Sequence, residues 1–188
     1  MLSPEMMDLL LSGTWETLYM TIVSTLIAYV FGVPLGLILY VTGDGGIRRN
    51  RAVNLVVGVI VNILRSVPFL ILLVFILPFT RAVVGTTIGS TATIVPLVVA
   101  AAPYVARMVE SSLKEIDGGV IEAARAMGSS TWQIIWKVFL PEAKPSLLVG
   151  ATISLATILG YSAMAGFVGG GGLGAIAINY GYYRYQSD

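Results

Sequence analysis

The sequence predicts an all-α integral membrane protein, and three observations carry that expectation. Of its 188 residues, 56% are hydrophobic and only 11% are charged, against roughly 25% charged residues in a soluble domain. Three stretches hold no charge, Thr17 to Gly43, Ala82 to Ala106 and Pro145 to Tyr183, and a fourth, Ala52 to Thr80, is interrupted only by Arg65. Each is longer than the ~20 apolar residues with which a helix crosses the hydrocarbon core.

The first span is placed at about residues 15–41. It lies too far from the start, and is too long, for a cleavable signal peptide, so it is expected to stay in the mature protein. The turn that follows holds Arg48, Arg49 and Arg51, and cytoplasmic loops are enriched in such residues. That turn is read as inside, which puts the N-terminus, with Glu5 and Asp8 but no Lys or Arg, outside. Span two covers 53–78 and returns outside through a short connection carrying Arg81. Span three covers 88–107. Residues 108–145 form a cytoplasmic segment of ordinary soluble composition, and span four covers 146–168. This orientation places eight of the eleven Lys and Arg residues inside. Small residues at helix-packing spacing, Gly32 with Gly36 and Ser162 with Gly166, allow close helix approach. Pro34, Pro68 and Pro96 predict kinks that neighbouring protein must repair. Beyond span four, Gly169 to Gly174 reads as a flexible hinge leading to an aromatic tail outside.

The cytoplasmic segment has the most specific pattern. Glu122-Ala123-Ala124-Arg125-Ala126-Met127-Gly128 is followed, after nine residues, by Val138-Phe139-Leu140-Pro141. Two short helices are expected here. Asp117 caps the first and places Glu122 near its start, Gly128 ends it in the left-handed region, Ser130 and Gln133 form a capping box for the second, and Pro141 stops that one. The three alanines give the first helix a low profile suited to a groove on a partner.

This spacing resembles the EAA loop of ABC importer permeases, with Val138 where isoleucine is usual. Gly13-Thr14-Trp15-Glu16-Thr17-Leu18, Arg65-Ser66-Val67-Pro68-Phe69, the run Ala102 to Glu110 and the run Gly160 to Gly166 extend the likeness along nearly the whole chain, toward the methionine importer permeases. The resemblance implies a type I ABC importer permease bundle in a bacterial inner membrane, with a fifth span expected beyond Asp188. It implies that the loop, through Glu122 to Gly128 with Leu140 and Pro141, is the coupling helix that docks on an ATPase. The implied partners are a second copy of the chain, two cytoplasmic ATP-binding subunits, an extracytoplasmic substrate-binding lipoprotein and the lipid bilayer. No cofactor is expected on this chain, ATP and magnesium being expected on the partner ATPase.

Other features are weighed against this reading. Gly169, Gly171 and Gly174 match a dinucleotide fingerprint by spacing, but that motif must lie in a βαβ unit. No Gly-Lys pair exists to build a phosphate loop, so the chain is not expected to be an enzyme. With no Cys and no His it offers no thiolate nucleophile and no soft-metal ligand set, and its net charge of +1, spread along membrane edges, points to no nucleic-acid partner. Arg65 lies within a span, where charge costs about 2.5–3.5 kcal/mol on insertion scales and usually faces protein or water. Together with Tyr161, Ser162 and Met164, a thioether flexible enough to plug a pore, it is a candidate for a translocation path. Ser154, Thr157 and Ser162 have the plainer role of bonding their own helix, and Glu16 that of an interfacial carboxylate. The rival class, a self-sufficient secondary transporter or channel, calls for acidic residues within the spans.

Overall fold

The computed structural model describes residues 4–185, and every described regular element is helical. α1 runs Pro4–Thr42, α2 Arg51–Ser66, α3 Phe69–Phe75, α4 Leu77–Val84, α5 Ser90–Lys114, α6 Gly118–Ala126 and α7 Thr131–Ile134. A π-helical turn, Ile135–Phe139, joins α7 to α8, Leu140–Met164, and a 3₁₀ turn, Ala165–Val168, leads on to α9, Gly172–Ile176, and a second π turn, Ala177–Tyr182. Among the described residues three helical runs are long and apolar enough to cross a membrane, Pro4–Thr42, Ser90–Lys114 and Thr131–Val168; α2 and α3 qualify jointly as a sharply bent fourth.

The bend is the work of Pro68. A proline has no N–H to continue the ladder and holds its predecessor away from the helical region. Pro68 instead starts α3 as its N-cap, at φ −56° and ψ 136°, its carbonyl accepting from Ile71 and Leu72. What reads as one kinked span is therefore two helices. Span three also differs from its reading, since α5 continues two turns beyond Arg107.

The residues divide into two compact units, one drawn from Met1–Ala28, Ser66–Ala101 and Ser154–Asp188, the other from Tyr29–Arg65 and Ala102–Ile153. In the second unit α1 and α5 run side by side in the same direction. A Cβ on Gly32 would stand 2.6 Å from Val105, and one on Gly36 would stand 2.6 Å from the Ala106 carbonyl oxygen. The helices thus meet through the absence of side chains on α1, as small-residue packing in membranes requires. Leu39, Val61 and Ala106 form the buried centre of this unit, flanked by Leu35 and Val57. Asn54 ties α2 back to the end of α1, donating to the Leu39 carbonyl at 2.7 Å.

The first unit is built around the glycine-rich loop. Gly89 N–H donates to the Gly169 carbonyl at 2.9 Å, and the Thr93 hydroxyl donates to the Gly170 carbonyl at 3.1 Å. A Cβ on Gly170 would meet Ala165 and Thr93 at 2.7 Å, and one on Gly174 would run into the Ala163 carbonyl. These glycines serve close approach, which corrects the expectation of a flexible hinge.

The α1–α5 contact leads to a measurable outcome. Gly36→Val should destabilise the subunit by at least the ~1–3 kcal/mol typical of overpacking, read as loss of monodisperse protein in detergent. Gly45→Val, where a Cβ meets nothing within 4 Å, should stay within about 0.5 kcal/mol of the parent. Equal behaviour of the two variants would remove the argument for close helix approach.

Candidate functional site

Three constellations stand out, and the hairpin of α6 and α7 is the best defined. Asp117 caps α6, its carboxylate accepting from Gly119 N–H at 2.6 Å. The helix ends in a complete Schellman motif: Gly128 N–H donates to Arg125 O at 2.9 Å, and Ser129 N–H to Ala124 O at 3.1 Å. Gly128 takes φ +77°, the left-handed conformation its position predicts. The capping box is present as read, with Gln133 N–H donating to Ser130 Oγ and Ser130 N–H to Gln133 Oε1 at 2.8 Å.

Two details depart from the reading. Pro141 does not stop the second helix, because helical structure continues from Thr131 to Val168. The π turn ahead of Pro141 widens the ladder where its missing N–H would otherwise leave a defect. Glu122 stands at the fifth position of α6, with no acidic residue in the first turn, so the charge at the helix start is Asp117's alone.

Of the hairpin residues singled out, only Ala124 is buried within Glu122 to Gly128, at 3% exposure, and it anchors α6. Glu122, Ala123, Arg125, Ala126, Met127 and Gly128 are all exposed, Met127 at 78%. Neither Glu122 nor Arg125 has a side-chain partner among the described residues. The hairpin is held to α1 by Phe139, fully buried, whose ring meets that of Tyr40 edge-on at 5.1 Å. Leu140 lines an apolar groove of about 370 Å³ with Pro34, Leu37, Trp132 and Trp136.

The second constellation is a cleft of about 360 Å³ between α2, α5 and α8. On α5 it is lined by Tyr104, Arg107, Met108, Ser111 and Ser112, one stripe at helical spacing, and Glu115 follows in the turn just beyond that helix. Ser146, Val149 and Gly150 supply the α8 wall, and Arg65, in the last turn of α2, lines it as well. Arg107 is fully engaged: its guanidinium donates to Glu110 at 2.5 Å, to Asn62 Oδ1 at 2.9 Å and to the Gly58 carbonyl at 3.3 Å. Glu110, 7% exposed, also accepts from Lys114 at 2.7 Å. Ser146 Oγ donates to Ser112 Oγ at 2.9 Å. Arg65, by contrast, is exposed and has no hydrogen bond or ion pair among the described residues. Of these residues the sequence points to Arg65 alone as a path candidate, while Tyr104, Arg107 and Met108 fall within the run Ala102 to Glu110. The stripe on α5 was visible at its spacing, but its charges read as loop.

The third constellation lies in the first unit. Glu16 accepts from Gly172 N–H at 2.7 Å, and the Thr17 hydroxyl accepts from Leu173 N–H at 2.9 Å. Those are two of the orphan donors at the start of α9. Glu16 is therefore a cap for a helix 156 residues away, which its own surroundings in sequence do not signal. Of the path candidates in this unit, Tyr161 stacks on Phe69 with centroids 4.6 Å apart. Ser162 is buried and donates to the Leu159 carbonyl at 2.7 Å, the plainer role considered for it. Met164, the last residue of α8, is 41% exposed.

Comparison with known proteins adds an independent line. Residues 32–186 match the family model described as the binding-protein-dependent transport system inner membrane component. The probable D-methionine transport system permease protein MetI of Pasteurella multocida is 54% identical over 97% of this chain and 84% of its own length. The D-methionine transport system permease protein MetI of Escherichia coli K12 is 56% identical over 88% of this chain and 76% of its own. Among solved structures, an inward-facing conformation of the MetNI methionine ABC transporter matches with a TM-score of 0.96 at 56% identity, covering 98% of this chain and 85% of that one. An amino acid ABC transporter crystallised with histidines matches in fold, at a TM-score of 0.78 and 22% identity.

The Glu16 cap is open to direct measurement. A hydrogen bond to a charged group contributes about 1.5–3 kcal/mol, so Glu16→Ala should speed amide exchange at Gly172 and Leu173 by roughly tenfold or more. Exchange unchanged at those amides would show that the loop is held by its close packing alone.

Proposed function

Because the chain belongs to the family of binding-protein-dependent transport system inner membrane components, we propose the way its residues perform that family's work. It is a multi-pass inner-membrane protein and the permease subunit of an ABC importer for methionine. Two copies pair around a translocation path, and each places its coupling hairpin on an ATP-binding subunit. ATP and magnesium act on that subunit. An extracytoplasmic lipoprotein delivers the solute, the N-terminus lies outside, and the hairpin lies in the cytoplasm.

The observation that carries the coupling role is the end of α6. A force-transmitting element needs a rigid helix, a low-profile surface and a fixed end. α6 and its caps have all three: a capped start at Asp117, exposed Ala123 and Ala126 beside Met127, and the Schellman end at Gly128. Glu122 and Arg125 are free to pair with charges on the ATPase, while Leu140 and Pro141 join the hairpin to α8.

The rival reading, a self-sufficient transporter or channel, needs an intramembrane carboxylate free to bind Na⁺ or H⁺. The buried carboxylate on α5, Glu110, is held by both Arg107 and Lys114. Among the path candidates, Tyr161, Met164 and Arg65 keep that role; Met164, exposed at the end of α8, forms part of the closed barrier. Ser162 stands in the wall, its hydroxyl turned to its own helix.

Gly128→Val should leave the subunit in the membrane yet abolish either its co-purification with the ATPase or the stimulation of ATP hydrolysis by loaded binding protein. A β-branched residue at positive φ strains the cap by on the order of 1–2 kcal/mol. Glu122→Ala should have the same effect more weakly. Full stimulation and full uptake in Gly128→Val would reduce the hairpin to a connector. Met164→Ala should raise solute leak through proteoliposomes while assembly is kept, and unchanged leak and uptake would place the barrier elsewhere.

A further inference from the structure

The cleft between α2, α5 and α8 contains more polar surface than a wall between membrane helices needs. Residues 104, 107, 108, 111 and 112 of its α5 face, with 115 in the turn just after, fall at intervals of three and four. At 1.5 Å per residue they extend about 16 Å along the helix. Polar side chains repeated along a membrane helix face protein or water, not lipid. Gly150 keeps the opposite wall thin: a Cβ there would stand 3.0 Å from Met108.

Two cations line this cleft, and they differ in one respect. Arg107 spends its donors on Glu110, Asn62 and Gly58. Gly58, Asn62 and Arg65 lie at i, i+4 and i+7 on α2, so Arg65 continues the face that Arg107 already touches, one turn nearer Pro68. Its guanidinium finds no acceptor among the described residues. A planar fork of donors with no internal partner, lining a polar cleft, fits a carboxylate in bidentate fashion. Tyr104 provides a hydroxyl for an ammonium group, and Met108 and Val149 an apolar wall for a thioether chain.

We propose that Arg65 is a carboxylate-binding station on the cytoplasmic side of the translocation path, holding the transported amino acid by its carboxylate before release past Glu115. This rests on the importer reading above. Its test uses the complex with its ATPase in proteoliposomes. The chain has no cysteine, so Ser111→Cys places a single thiol in the cleft. The anionic sulfonatoethyl methanethiosulfonate should label it faster than the cationic trimethylammonium-ethyl reagent. Arg65→Gln should lower that rate ratio by roughly tenfold, the effect of one nearby charge in a poorly screened site. Methionine should protect the thiol, methioninol, which lacks the carboxylate, should not, and Arg65→Gln should abolish the protection.

Uptake by Arg65→Gln should fall about tenfold or more, with Arg65→Lys between it and the parent, because lysine keeps the charge and loses the fork. Equal protection by methioninol, or parental uptake by Arg65→Gln, would overturn the assignment. So would protection that follows phosphatidylglycerol added to phosphatidylcholine vesicles instead of methionine, which would make the site one for a lipid phosphate. The labelling arm needs no transport. A parent complex that shows methionine protection but no uptake would therefore count against the importer reading and leave the Arg65 station standing.

Discussion

In hydrocarbon every backbone N–H and C=O must find its partner inside the protein, and this constraint shapes each departure from a plain helix in this chain. Where Pro68 withholds a donor, the ladder breaks and its carbonyl is reused to start α3. Where Pro141 withholds one, a π turn takes up the defect and the helix continues. At the start of α9 the donors have no helical acceptor, and Glu16 and Thr17 of α1 supply oxygens. A break, a bulge and a distant cap are three solutions to the same problem.

The same rule extends to side chains. Glu110 is the most deeply buried carboxylate described, and it is paired with two cations on its own helix, at i−3 and i+4. Burying an ion costs several kcal/mol unless its partners are well placed, and here each carboxylate oxygen has its own donor. Arg107 then carries the network to α2. That leaves Arg65, on the same α2 face, outside the network, and the contrast gives the cleft a fixed cation and an available one.

Much of this was legible in the sequence, because its signals are local. The charge-free runs marked the long helices, and Asp117, Gly128, Ser130 and Gln133 stand in the roles their positions imply. What stayed hidden depended on partners distant in the chain. Glu110 and Lys114 looked like loop residues because charge counts as polar until its pairing is known, so α5 was read two turns short. The glycines after Val168 looked flexible because nothing adjacent shows that Thr93, Glu16 and Thr17 press against them. Pro141 looked like a stop because a π turn leaves no mark in composition.

The continuity of helix from Thr131 to Val168 bears on how the proposed coupling would operate. A loop between the hairpin and α8 would absorb displacement by changing its dihedrals. A capped helix running through a π turn has no such freedom, since each backbone bond holds its neighbours in register. Ser130 fixes the start of that run, Phe139 locks it against Tyr40, and the Ser112 to Ser146 hydrogen bond ties its next turns to α5. Motion applied at α6 would therefore reach the wall of the Arg65 cleft through side chains already in contact with it. In that arrangement α7, the second helix of the hairpin, and the α8 wall of the cleft are successive turns of one helical run, so no hinge separates those two.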